Sequence, residues 1–249
     1  MTYTINIVIK IVIATAAAVI FGNGSVVAFN HIPQKWFEDW EPGELDTEKR
    51  VLPTKLLESD NAGRQRIPST PWKWIFTGLF LASGVYLAMT GGLQYEIAAL
   101  CVLAVMLEMA IADELYKIVP DQLQLLLAVL AIGFVSFNEN WWEPLAGAGV
   151  GLLLSLATWG LGLLIFKSDS LGGADIKFFT CVGSVVGRRG VIAIFIMTTL
   201  FFAVESVYRI ATKKSTLNDH NAMMPAAFCA VWVYLLFLNN LMEISWLTF

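Results

Sequence analysis

Charge is scarce in this chain. Of its 249 residues only 14% are Asp, Glu, Lys or Arg, against about 25% in a soluble domain. The formal net charge is −4, so no basic excess exists to attract nucleic acid. Cysteine is scarce too. Cys101, Cys181 and Cys229 lie far apart, each in an apolar run; this fits three buried thiols better than a disulfide frame or a zinc site. The two histidines, His31 and His220, fall in loops and show no ligand spacing. Internal repeats and matched pairs of broken helices are absent, and transporters often carry them.

Apolar residues fill the space that charge leaves. They make up 57% of the chain, and mean hydropathy is +0.67. Lipid is the simple solvent for such a surface. A helical span takes about 20 mostly apolar residues. Eight segments qualify, about 4–22, 74–93, 96–113, 121–137, 145–166, 174–187, 190–210 and 223–246. Backbone groups in lipid must pair within their own segment, which makes these helices. The expected fold is all-α: one polytopic membrane domain over 1–249 with about eight transmembrane helices. The opening run "INIVIKIVIATAAAVIFG" has its one cation, Lys10, inside it and not before it. It reads as a first span and not as a signal peptide.

One long polar stretch, residues 31–72, follows the first span and is broken by Pro33, Pro42, Pro53, Pro68 and Pro71. Few apolar anchors make it a folded-back loop or small lobe. Lys and Arg set the orientation. The connectors after spans one, three, five and seven carry Lys35 through Lys73, Lys117, Lys167 with Lys177, and Arg209 with Lys213 and Lys214. Those after spans two and four carry none. The first set is therefore cytoplasmic, the 31–72 loop included, and both termini face outward. Arg188 and Arg189 run against this count.

That orientation brings "DELYKIVPDQ" and "SLGGADIK" to one side of the membrane, each at a helix end. Two carboxylates, Asp113 and Asp175, can then meet near the cytoplasmic surface. A charged carboxylate inside a bilayer costs roughly 2.5–3.5 kcal/mol, so it is kept where it has a partner or water. Two brought together share a proton and titrate as a pair. One is then a base for water and the other an acid for a carbonyl, the aspartic-protease arrangement, which needs no metal. Gly172 and Gly173 give backbone freedom and close substrate approach. Asp175 falls just inside a helix start, where the dipole favours an anion. Pro120 opens the helix after Asp113, and Asp121 reads as its cap. Lys177 reads as a snorkelling interfacial cation before it reads as a catalytic group. Glu108 and Glu205 lie deeper, and bonding to a neighbouring helix or facing a substrate suits either.

The two motifs together resemble the type IV prepilin peptidase family, membrane aspartic proteases with a GxGD signature. The family has an Asp at the end of one span, Pro seven residues on, and Asp or Asn next; here these are Asp113, Pro120 and Asp121. Its second Asp closes GxGD and is followed by a hydrophobic residue and Lys; here "GGADIK" supplies Gly172, Gly173, Ala174, Asp175, Ile176 and Lys177. "MMPAAFCAV" from Met223 is similar to the family's segment opening the last span. Ala174 stands where the family has its second Gly.

The resemblance implies cleavage of prepilin or pseudopilin leaders at the cytoplasmic face of the bacterial inner membrane, with Asp113 and Asp175 catalytic. Gly172, Gly173, Ala174, Lys177, Pro120 and Asp121 would support the substrate or the backbone. No cofactor is implied for proteolysis. Family members that N-methylate the new terminus use S-adenosylmethionine, and their Gly-Ser-Phe-Leu-Asn run is only loosely echoed by "GNGSVVAFNHIP". Residues 31–72 lack the Cys-x-x-Cys pairs of many members, so no zinc is expected there. The competing readings are a proton- or ion-coupled transporter, using Glu108 and Glu205 with the aspartates, and a non-catalytic pilus or secretion assembly partner.

Overall fold

Apolar runs with their backbones in lipid can satisfy their polar groups only as helices, and helices are what form. The structure, a computed structural model, describes residues 2–33, 36–37, 66–138, 140–166, 172–212 and 221–239. Most of the 31–72 stretch lies outside them. Among the described residues there is no strand. Helix α1 (Thr2–Ala17) passes through a π-helical turn, Ala18–Asn23, into α2 (Gly24–His31). Then come α3 (Ser69–Thr90), α4 (Leu93–Tyr116) and α5 (Asp121–Phe134), the last closed by a 3-10 turn, Val135–Phe137. Helices α6 (Glu143–Phe166), α7 (Gly173–Ala211) and α8 (Met224–Val233) complete the order, α8 running on into a π-helical turn, Tyr234–Leu238.

Five stretches are long and apolar enough to cross a membrane: Val8–His31, Ser69–Thr90, Leu93–Tyr116, Glu143–Ile165 and Gly173–Ala211. Asp121–Phe137 and Met224–Leu238 are shorter apolar helices. The chain is thus a multi-pass membrane protein. The first span runs on to His31, past the expected end near residue 22. "GNGS" looked like a break. Instead, a Cβ on Gly22 would collide with the Thr77 backbone, so glycine lets α3 approach closely there.

Expected spans six and seven form one element, α7, with its only non-helical residue at Gly187 (φ 73°, ψ −177°). The halves fold back on each other. Phe179 and Phe195 have ring centroids 4.9 Å apart, whereas 16 residues of straight helix would separate them by about 24 Å. Side chains other than glycine rarely adopt this φ, so Gly187 is the hinge of a helical hairpin.

Small residues weld α6 to α7. A Cβ on Gly147 would overlap the Gly183 carbonyl and the Gly187 backbone, and one on Gly151 the Phe179 carbonyl. Lipid is as apolar as a leucine core, so helices associate through such close packing and through bonds between helices. The Tyr95 hydroxyl donates to the Leu235 carbonyl at 2.8 Å, and Trp232 Nε1 to Ser83 Oγ at 2.8 Å. Phe80, Leu100, Met106, Phe178, Phe179 and Met224 fill the centre, fully buried.

Helix direction alternates, so the bundle has two distinct ends. One gathers the start of α3, the end of α4, the starts of α5, α7 and α8, and the end of α7. Arg209 there bonds Glu114, Lys177 bonds Asp121, and Met224 bonds Asp113. At the far end, Arg188 bonds Glu143 and lies 4.6 Å from the Trp142 ring centroid, while Lys10 Nζ donates to the Gly91 carbonyl at 2.7 Å. Arg188, which ran against the Lys/Arg count, is thus held by a carboxylate. Exposed Trp72 and Trp74 sit at the first end and exposed Trp141 and Trp142 at the other, the two positions where aromatic belts meet lipid headgroups.

The thiols depart from expectation. Cys101 and Cys181 are half-buried, Cys229 is exposed, and all three are free. In a membrane protein an apolar run faces lipid as readily as core.

Candidate active site

Asp113 lies one turn before the end of α4 and is only 8% exposed. Its Oδ2 accepts a 2.8 Å bond from the backbone N–H of Met224, the first residue of α8. A free N–H at a helix start, with the helix dipole behind it, is a natural partner for a carboxylate. This explains "MMPAAFCAV" physically: Pro225, in the first turn, needs no N–H partner, and the Met224 N–H is left for Asp113. Sequence reasoning missed this link because backbone donors leave no mark in composition. After Asp113 the chain turns sharply. Lys117 takes left-handed backbone (φ 57°) and its N–H closes on the Asp113 carbonyl at 2.9 Å. This C-cap, usually made by glycine, redirects the chain toward Pro120.

Pro120 precedes the first residue of α5, and its carbonyl accepts from the N–H groups of Leu123 and Gln124. Asp121 was expected to cap that helix. It is instead the first helical residue, and no side chain caps this end. Both its carboxylate oxygens accept from Lys177 Nζ at 2.9 Å. Lys177 thus bridges the two motifs. Helical side chains point back toward their own N-terminus, so Lys177 reaches up to Asp121. By the same rule Gln124 reaches back from α5 to α7, its Nε2 donating to the Ala174 carbonyl at 3.1 Å. Gln124 is 3% exposed, and its Oε1 is buried with no hydrogen-bond partner. An orphan of this kind costs about 1–3 kcal/mol. The only sequence signal for Gln124 is a polar amide inside the run "LQLLLAVL".

Asp175 stands at the third position of α7, as expected, and its Oδ2 accepts from the Gly172 N–H at 3.2 Å. It also feels the charge of Asp113, which comes from a distant segment. The glycines play one of the two parts expected. Gly172 has ordinary extended backbone (φ −72°, ψ 153°), so its conformational freedom goes unused. Gly173 has nothing within 4 Å of where a Cβ would stand. Open space beside bare backbone remains, which suits close approach by another chain. Ala174 is a regular residue of α7, partly buried against the core. No positive φ falls there, so its methyl group creates no strain.

The deeper acids divide. Glu205 accepts from Arg209 Nε at 2.9 Å, and Arg209 also holds Glu114 at 2.8 Å. Glu108 is buried against Ser25, its Oε2 without a hydrogen-bond partner. At the carboxylate end, Asn30 clamps Ile67 on both backbone groups, Nδ2 to the carbonyl at 3.1 Å and Oδ1 from the N–H at 3.0 Å. Phe29, Phe37, Ile67 and Ala112 form a small apolar cluster, which ties both ends of the polar stretch to the helix that carries Asp113.

An open cavity of about 400 Å³, lined by Gly91, Tyr95 and Phe137 among others, lies at the far end, away from the carboxylates. Among the described residues no group of three or more His, Cys, Asp or Glu side chains could hold a metal ion. Within "GNGSVVAFNHIP", Gly22 packs against the Thr77 backbone and Asn30 bonds Ile67.

Residues 100–207, which hold both carboxylates and both motif turns, match the model of the type IV leader peptidase family. A prepilin leader peptidase/N-methyltransferase of Xanthomonas campestris pv. campestris is 26% identical over 135 residues, 53% of this chain and 46% of the relative. The chain thus spans about half the length of that relative. No solved structure matches it significantly. The resemblance read from the two motifs is borne out by both comparisons.

Proposed function

We propose that the chain is a membrane aspartic endopeptidase that cuts the leader from type IV prepilins or pseudopilins at the cytoplasmic face of the inner membrane. One observation carries the proposal: Asp113 and Asp175, from distant segments, lie at one end of the bundle, where the charge of Asp113 reaches Asp175. Such a pair shares one proton. The ionised member takes a proton from a water, and the resulting hydroxide bonds to the scissile carbonyl carbon. The protonated member gives its proton to the carbonyl oxygen. The tetrahedral intermediate then collapses, the C–N bond breaks, and the amine leaves with a proton returned from the dyad. The Met224 N–H fixes the orientation of Asp113 through Oδ2, and the Gly172 N–H that of Asp175. The open backbone at Gly173 admits the extended substrate strand. Proteolysis of this kind needs no cofactor. S-adenosylmethionine would serve only a second step, N-methylation of the new terminus, such as the one in the name of the Xanthomonas relative.

The test is purified protein in detergent mixed with a prepilin. Wild type clips the leader, and Asp113→Asn or Asp175→Asn each abolishes clipping while the protein still folds. Proton flux without clipping would instead favour a transporter. Against that rival, Arg209 already neutralises Glu205. Neither activity would leave a non-catalytic assembly partner.

A further inference from the structure

We propose that Gln124 is a positioning residue for this reaction: its amide holds the Ala174–Asp175 peptide and so sets where the Asp175 carboxyl stands relative to Asp113. The inference rests on the peptidase reading and deepens it. Three observations support it. The Gln124 Nε2 donates to the Ala174 carbonyl at 3.1 Å, and that carbonyl belongs to the peptide bond leading into Asp175. Gln124 is 3% exposed, so packing locks its side chain in one place. Its Oε1 is buried without a hydrogen-bond partner, so a side chain of the same length and no polar atoms would serve the fold better. Stability alone therefore does not account for an amide here, whereas a donor aimed at Ala174 does. Asp121 and Lys177 make a second link between α5 and α7, but both are mostly exposed. An exposed ion pair fixes geometry poorly. Gln124 is the buried tie between the two motifs, one turn below that pair.

The experiment compares wild type, Gln124→Met and Gln124→Glu in detergent with a prepilin, measuring kcat, KM and the thermal midpoint across pH. Gln124→Met keeps the length of the side chain and removes both polar atoms. Its kcat should fall about 10- to 100-fold, as expected when a catalytic group is displaced by up to an ångström. Its KM should stay within about twofold, since substrate binding is not the function lost, and its midpoint should not fall. Gln124→Glu supplies the second readout. As a neutral acid it can donate to the Ala174 carbonyl; ionised, it repels that oxygen. Its activity relative to wild type should rise as pH falls, and the ratio cancels the titration of the dyad itself. Wild-type kcat in Gln124→Met overturns the proposal, as does a ratio for Gln124→Glu that is flat with pH. If Gln124→Met does not fold, the pH ratio decides alone. A wild-type protein that never clips overturns the peptidase reading itself, and this inference with it; a clipping wild type with unaffected Gln124 variants overturns this inference only.

Discussion

Gly187 and Gly173 show how differently one residue type is used fourteen positions apart on the same element. At Gly187 the backbone lies in the left-handed region, and a Cβ would stand 3.1 Å from Asn138 Oδ1 and 3.3 Å from Glu143 Oε2. Both strain and crowding oppose a side chain there. Gly187→Ala should lose about 1–3 kcal/mol, read as a lower unfolding midpoint in detergent. At Gly173 a Cβ meets nothing, and the residue opens a helix, where alanine is favoured. Gly173→Ala should gain about 0.4–1 kcal/mol yet lose cleavage, because the methyl group obstructs an approaching strand. Unchanged cleavage would remove Gly173 from the substrate path. Lys117, left-handed without being glycine, is a third backbone device, and it lies four residues past Asp113.

Between elements, close approach replaces the hydrophobic drive that water would supply. Helix α6 meets the first half of α7 along Gly147, Gly151, Gly183 and Gly187. Gly151→Val should push the helices apart and cost about 1–3 kcal/mol, seen in thermal unfolding, whereas the same change at Gly149, with open space around it, should cost little. A midpoint equally insensitive to both would show that the seam does not hold the bundle. The first half of α7 carries Asp175 at its start, so this seam also supports the site. The Gly-rich run of α6 was visible in the sequence, but its partner was not. Periodicity reports which residues share a helix face; it does not report which helix lies opposite. For the same reason the sequence placed a turn between two spans near residue 187, and only the structure shows that it rests on one glycine.

Over the whole molecule, exposed tryptophans mark two ends, and most of the cations among the described residues gather at one of them while Arg188 is held by Glu143 at the other. Lys73, Lys117, Lys177 and Arg209 belong to the carboxylate end, where exposed Trp72 and Trp74 also lie. Trp141 and Trp142 mark the other. Cysteine introduced at Lys117 should resist a membrane-impermeant thiol reagent in intact cells and react after permeabilisation. Cysteine at Trp141 should react in both, with the native thiols first replaced by serine. Labelling at Lys117 from outside would reverse the orientation and with it the cytoplasmic site. The sequence by itself determined the helical membrane class, the approximate limits of the segments, and the two acids flagged by motif spacing, because these depend on local composition and on residues a few positions apart. Tertiary structure alone decided that Met224 binds Asp113, that Lys177 joins Asp121, that Gln124 holds Ala174, and that α7 folds at Gly187. Each of these joins segments distant in the chain, often through backbone groups that every residue carries, so only packing can select the partner.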